Sequence, residues 1–600
     1  MIEILFKSNP AFLFFAGAII LPFLKGHLRN IVAIIIPAIS FFIIHNLVPG
    51  TLETLPFLHY DLSILRVDKL SKAFGYIFTL SSFAAMVYGY YQKKSLEFVS
   101  TLVYVGSALG VVFSGDLFSL YMFWELMAVF STFLILANKT SKSMAAAKRY
   151  ILVHIAGGLI LLAGIILHIN GTGSIEFTHF ATQNLSTWFI LVGFLVNAAA
   201  IPFSSWLPDA YPEATILGGV VLSAYTSKTA VYTLARGFAG WDILIMIGCG
   251  MAIYGIIYAL LENDMRRILA YSIVNQVGFM VCAVGIGTPL AISGAVAHAF
   301  CHIIYKALLW MSAGSVLYRV GKSKCTEIGG LYRTMPLTLL FGLIGALAIS
   351  SVPLTSGFTS KTIIILAAEY QHLVIPWLIL EIASAGVFLH AGIKFPYFVF
   401  FNVDRGLRPK EAPPCMLIAM GFLAFLCIFL GCFPESLYNI LPDAELVKSK
   451  MAYTFSDIYI HHFPKVITQM QMLMFSGLVF FLFLPMLKRT DTISIDFDWG
   501  YRKGATYFYK LMDVVLNSLN KVADSVVIRK FVPAFYNLII AIPAFVLMLL
   551  ARVTWVIRQA SPDTIQKERL LIHSQLKAAT FPIGMSAILT LILFAVLFIL

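Results

Sequence analysis

The sequence predicts an all-α, polytopic membrane protein with about 14 to 17 transmembrane helices. Two observations carry that expectation. Only 12% of the 600 residues are charged against 60% hydrophobic and 14% aromatic, roughly half the charged share of a soluble globular chain. Apolar runs long enough to cross a bilayer also follow one another almost without pause. They lie at 11–24, 31–48, 70–92, 98–114, 117–137, 150–169, 186–206, 215–235, 241–261 and 267–287. The series continues at 289–318, 335–352, 361–380, 382–402, 415–433, 471–487, 535–558 and 579–600. Such runs fit helices better than barrel strands, which alternate apolar and polar residues in short segments. The N-terminus shows no short hydrophobic stretch with a small-residue cleavage site, so no removable signal is expected.

The formal net charge of +13 would suggest nucleic acid as a partner for a soluble chain. Here the excess sits in loops between spans. The 138–149 loop holds Lys139, Lys142, Lys148 and Arg149, whereas the 170–185 loop has no Lys or Arg. The positive-inside rule puts the first loop in the cytoplasm, and alternation then places Lys93 and Lys94 inside and the N-terminus outside. The expected setting is the inner (cytoplasmic) cell membrane, with the bilayer as solvent and no nucleic-acid partner. The seven cysteines are scattered without a CxxC pair and read as small buried hydrophobes.

The chain divides into N-terminal spans over 1–97, two candidate repeats over 98–240 and 241–403, and C-terminal spans over 404–600. Within the last, residues 501–530 mix apolar and charged side chains at helical spacing. They fit an amphipathic helix on a membrane or partner, or equally a solvated linker helix.

A charge inside a span costs about 2.5 to 3.5 kcal/mol on insertion scales, so its default reading is functional. Glu125 is the one charge in 117–137, and Lys228 interrupts 215–235. His298, His302 and Lys306 recur at i, i+4 and i+8, which places them on one stripe of one helix. Such a stripe, bridged by water, suits a proton relay, because histidine changes charge near neutrality. Zinc ligation lacks a third ligand nearby in the sequence. Interhelical hydrogen bonding is the stronger rival, although it explains Lys306 poorly. For Glu125 the rival is a structural ion pair, with Lys228 as one candidate partner.

Two apolar runs contain helix breakers. VNAAAIPFSSWLPD at 196–209 carries Asn197 and Pro202, and SVPLTSGFTSK at 351–361 carries Pro353 and Gly357 beside Lys361. Broken helices at corresponding places in two halves point to a transport site, and their spacing of about 150 residues suggests an inverted repeat.

FWEL at 123–126, WLPDAYPEAT at 206–215, ARGF at 235–238, NDMRRILAYSIVNQVGFM at 263–280, HAFCHIIYKALLWMSAGSVLY at 298–318 and GFTSK at 357–361 together resemble one superfamily. It comprises the proton-translocating antiporter-like subunits of respiratory complex I and of Mrp-type multisubunit sodium/proton antiporters. The resemblance covers about residues 60–435. The wording around Lys228 and GKSKCTEIGGLYRTMPLT at 321–338 looks most like the D-type member of the Mrp set.

The resemblance implies a 14-helix core of two inverted five-helix repeats, each with one broken helix. It matches Glu125 to the family's glutamate, His298, His302 and Lys306 to its central stripe, and Lys361 to the lysine beside the second break. Two positions depart from the pattern. Asn197 stands where relatives carry a lysine paired with the glutamate, and Gln276 where some place a histidine. The implied function is that of a proton-translocating subunit in a monovalent cation (Na+)/proton antiporter, a transporter component and not an enzyme. Its path would run through Glu125, Lys228, His298, His302, Lys306 and Lys361, with other hydrophobic subunits as partners and no cofactor. The alternative is a proton-pumping subunit of a redox complex, of the NADH:quinone oxidoreductase or membrane hydrogenase type. No flavin, nucleotide or iron–sulfur motif is present, so electrons would be handled elsewhere. A scaffold that has lost conduction is the third reading, kept open by Asn197. Residues beyond about 440 have no role assigned by the sequence.

Overall fold

Lipid supplies no hydrogen bonds, so each crossing must satisfy its backbone internally as a helix, and breaks persist only where protein groups cover the freed carbonyls. The computed structural model obeys this rule. It describes residues 9–578 except 51, 452–453, 458, 460–462 and 486–495. The expected span at 579–600 lies outside the described residues.

The N-terminal helices are α1 (Ala11–Ile20), α2 (Gly26–Asn46) and α3 (Lys69–Tyr88). Between α2 and α3, where the sequence shows only a polar excursion, an antiparallel hairpin pairs Leu52–Phe57 with Tyr60–Arg66. There follow α4 (Ser95–Phe113), α5 (Leu117–Leu136), α6 (Ser141–Thr172), α7 (Leu185–Asn197), the short α8 (Trp206–Ala210), α9 (Ile216–Leu222) and α10 (Thr226–Gly237). The run at 215–235, expected as one helix, is therefore split at Ser223–Tyr225.

The next group is α11 (Ile243–Leu261), α12 (Met265–Ile286), α13 (Pro289–Val320), α14 (Pro336–Ile349), α15 (Ser356–Tyr370) and α16 (Val374–Val387). The last continues through π-helical turns Phe388–Lys394 and Tyr397–Phe401. Such turns are rare and mark strained or functional stretches. α17 (Pro414–Cys432) and α18 (Phe463–Leu482) complete this part. Eleven of the described helices are long and apolar enough to cross a membrane, and shorter apolar halves make up further crossings.

The two groups share one register. Adding 148 to the bounds of α4 (95–113) and α6 (141–172) gives those of α11 (243–261) and α13 (289–320). The caps follow the same shift. Asp116 and Asp264 accept the first free N–H groups of α5 and α12, and Thr140 and Thr288 do so for α6 and α13. Such caps satisfy donors that helix geometry leaves open. Gly173 and Gly321 end the two long helices at φ +71° and +73°, a left-handed turn that glycine takes without strain. Even the isolated bridges correspond, Asp116 with Glu176 and Asp264 with Lys324.

Each group crosses five times, counting α7–α8 and α14–α15 as one broken crossing each and α9–α10 as another. An odd number of crossings starts the second group on the opposite face, so the repeat is inverted.

By contact the chain forms two units, Met1–Asp498 and Trp499–Leu600. In the second, the stretch expected to be amphipathic is helical as α19 (Asp498–Ala523) and runs through the π-helical turn Asp524–Phe531 into α20 (Val532–Ile557). α21 (Pro562–Ala578) follows, tied to α20 by the Trp555 indole N–H, which donates to Glu568 at 2.6 Å.

Candidate functional site

The two breaks are built alike. After α7, the Ala199 N–H donates to the Val196 carbonyl at 3.1 Å and Ala200 to Leu195 at 3.0 Å. After α14, Ser351 donates to Ala348 at 3.0 Å and Val352 to Leu347 at 3.1 Å. Ala199 and Ser351 turn with positive φ, and Pro202 and Pro353 stand three and two residues beyond, where each lacks an N–H to continue a helix. Gly357 is required by close approach, because a β-carbon there would collide with the Ala348 carbonyl oxygen.

A side chain from beyond each break caps the half-helix it leaves. The Trp206 indole N–H donates to Val196 O at 2.9 Å, and Lys361 Nζ donates to Ile349 O at 2.7 Å. The C-terminal carbonyls of a helix carry partial negative charge, so the Lys361 ammonium suits that position.

The other lysines follow the same rule. Lys228 Nζ lies across the α9–α10 break and donates to Ser223 O at 2.7 Å and Ser227 Oγ at 3.1 Å. Lys306 Nζ donates to Ser272 Oγ at 2.8 Å. Lys394, in the π-helical turn after α16, donates to the carbonyls of Ala259, Leu260 and Glu262 at 2.6 to 2.9 Å. All four amines are buried in the spans.

The predicted stripe is present on α13. His298 Nδ1 lies 3.2 Å from Ser360 Oγ, and both ring nitrogens of His302 lack a hydrogen-bond partner among the described residues. The charged groups acting on His302 are Lys228, Lys306, His298 and Lys361. Those acting on His390, beyond the stripe, are Lys306, Lys394 and Lys361. The buried lysines from Lys228 to Lys394 thus bear electrostatically on the histidines among them. The open nitrogens of His298, His302 and His390 are buried polar atoms of the kind that bound water satisfies. Gln276 accepts the Tyr305 hydroxyl at 3.2 Å and donates to Asn275 at 2.5 Å, so it braces α12 against the stripe.

Glu125 stands apart from these groups. Its Oε1 has no hydrogen-bond partner among the described residues, and Lys228 points at Ser223 instead. The carboxylate packs against Gly158, where a β-carbon would overlap it. One turn earlier on α6, His154 Nδ1 meets Asn197 Oδ1 at 2.8 Å. Asn197 therefore serves His154 and is not an ion-pair partner.

Sequence reading missed His154, Glu381, His390 and Lys394. His390 and Lys394 lie in the run 382–402, the neighbour of 361–380 and like it already recognised as a span, where the rule about charges in lipid would have found them. Glu381 faces Lys361 electrostatically and falls between those runs. The signal for His154 is the 148-residue register, which superposes it on His302.

The fold and site define a multi-pass integral membrane protein whose second repeat encloses a line of buried lysines and histidines. Residues 114–388 match the family described as NADH:quinone oxidoreductase/Mrp antiporter, TM, a stretch that spans most of both repeats. The chain is 29% identical over 403 residues to the A/B component of a probable K(+)/H(+) antiporter in Rhizobium meliloti, covering 62% of this chain and 40% of that protein. It is 28% identical over 424 residues to hydrogenase-4 component B of Escherichia coli, covering 63% of each. The chain thus spans less than two thirds of either relative. In fold it is similar to a chain of the Mrp complex from Dietzia sp. DQ12-45-1b, with TM-score 0.74 and 22% identity over 90% of this chain and 62% of that one. It is also similar to a chain of an archaeal membrane-bound sulfane sulfur reductase, with TM-score 0.69 and 22% identity over 90% of this chain and 99% of that one.

Proposed function

We propose that the chain is a proton-translocating subunit of a multisubunit monovalent cation (Na+)/proton antiporter in the cytoplasmic membrane, a secondary-transport component and not an enzyme. The observation that carries this reading is the set of titratable groups Lys228, His302, Lys306, Lys361, His390 and Lys394, all buried in spans where each charge is expensive. A proton on one member changes the cost of a proton on another, so protonation of the set is a coupled event. Glu125 and His154 extend the path further into the first repeat, beyond Lys228. The family match over residues 114–388 and the relative named as an antiporter component support the transporter class. Assignment to the D type rests on the motifs around Lys228 and at 321–338, while the Rhizobium meliloti relative is named A/B.

A second reading is supported by the hydrogenase-4 relative and by the reductase chain matched over 99% of its length. In it the same residues form the proton path of a redox-driven pump, with electrons handled by other subunits. Affinity isolation of the tagged chain in mild detergent, with mass spectrometry of what accompanies it, separates the two. Small hydrophobic subunits alone support the antiporter, and flavin or iron–sulfur subunits support the pump. Either reading requires that Lys306→Ala and Glu125→Ala lower proton flux on the order of 100-fold with the complex assembled. Full flux in both variants would sink proton transport by this chain.

A further inference from the structure

Between the Glu125–His154 end of the first repeat and Lys228 lies a group of buried hydroxyls. Tyr150 lies one turn before His154 on α6, with the rings 4.1 Å apart, and the 148-residue register places it where α13 has His298. Its hydroxyl is 2.9 Å from Ser131 Oγ on α5. The Tyr104 hydroxyl on α4 meets Thr226 Oγ1 at 2.6 Å and accepts the Thr226 N–H at 2.9 Å. The Tyr211 hydroxyl is buried with no hydrogen-bond partner among the described residues, and its neighbours are Tyr104, Tyr150 and Thr226. Three phenols from separate elements therefore converge on the first turn of α10, two residues before Lys228. Packing alone does not ask for this, since phenylalanine would fill the same space without a buried polar atom to satisfy.

We propose that these hydroxyls, Tyr104, Ser131, Tyr150, Tyr211 and Thr226, carry protons between the Glu125–His154 end of the first repeat and Lys228. This inference rests on the proton-transport reading above. Each hydroxyl accepts a proton on its oxygen from one side and releases its own to the other. His154 takes the proton on its open Nε2 and gives it up from the same nitrogen, because Nδ1 is held by the Asn197 amide oxygen. One proton moves, every group returns to its starting form, and bound water next to Tyr211 closes the step that no direct bond spans. The rival is a purely structural hydroxyl cluster holding α4, α5 and α6 together.

The test uses the intact complex in proteoliposomes, with chain content and proton flux read together. The Tyr150→Phe/Tyr211→Phe double variant is expected to assemble normally and lose flux about tenfold. Double-variant flux within twofold of wild type, beside an inactive Lys306→Ala control, would overturn the relay and leave the transport reading standing. Wild-type flux in Lys306→Ala as well would remove the transport reading, and the relay with it. If the double variant fails to assemble, Tyr211→Phe decides by the same criterion, because its hydroxyl makes no direct bond to the described residues that could be lost.

Discussion

The two breaks share a backbone and differ in what closes them. At the first, the freed carbonyl of Val196 receives a neutral indole N–H from Trp206. At the second, Ile349 O receives the Lys361 ammonium. The long helices differ in the same way. α13 carries His298, His302 and Lys306, while the register gives α6 Tyr150, His154 and Gly158. Gly158 leaves the room that Glu125, arriving from α5, occupies. One scaffold thus sets a carboxylate and hydroxyls against the long helix of its first half and a histidine–lysine stripe along that of its second. An inverted pair of this kind offers a proton two chemically distinct environments within one chain.

Replacing the caps sharpens this contrast most. Lys361→Gln keeps a donor for Ile349 O and removes the titratable charge, so flux should fall on the order of 100-fold with little change in thermal stability. Trp206→Phe should do the reverse. It leaves a buried carbonyl unpaired at a cost of about 1–3 kcal/mol, read as a lower Tm of the purified complex, with flux largely retained. Equal losses of flux in the two variants would break the distinction between a titratable and a structural cap.

A middle-sized effect is expected at Gly158. A methyl group in Gly158→Ala displaces the Glu125 carboxylate, and flux should drop roughly tenfold. Wild-type flux in that variant would show that the position of Glu125 is not critical.

The smallest effect lies outside the spans, at the corners that begin α5 and α12. The second corner pairs Arg267 with Glu262 at 2.8 Å, whereas the equivalent residues of the first are Ser119 and Ser114. Burial opposes the charge of Glu262, but the Arg267 guanidinium outweighs it and holds the carboxyl below its usual range. Because the folded pKa is depressed, the pair's contribution is complete above the unfolded value of about 4.3 and is lost as pH falls through the folded one. Thermal scans from neutral pH into acid should show a modest loss that Glu262→Gln flattens.

Much of this was legible in the chain itself. Spans follow from apolar length, both breaks from proline in an apolar run, and the α13 stripe from a spacing of four. The split at Ser223–Tyr225 was not, because no proline or glycine marks it and its carbonyl is satisfied by Lys228 from the far side. The hairpin at 52–66 was hidden because its strands pair only with each other beside long helices. His154 carries no mark in sequence, since the other histidine of its apolar helix, His168, stands fourteen residues away, and it gains meaning only when folding sets it against Asn197 and in register with His302.

That register has a mechanical consequence. An α-helix turns about 100° per residue, so one residue inserted in α13 ahead of His298 would swing the whole stripe away from Ser272 and Ser360 together. The same insertion between Gly321 and Pro336 would meet a connection that is already longer than its counterpart, since α7 and α14 end 152 residues apart where the helices before them are 148 apart. The molecule absorbs differences of length in its loops and holds the long helices to an unchanging count, as a ruler must to keep its marks in place.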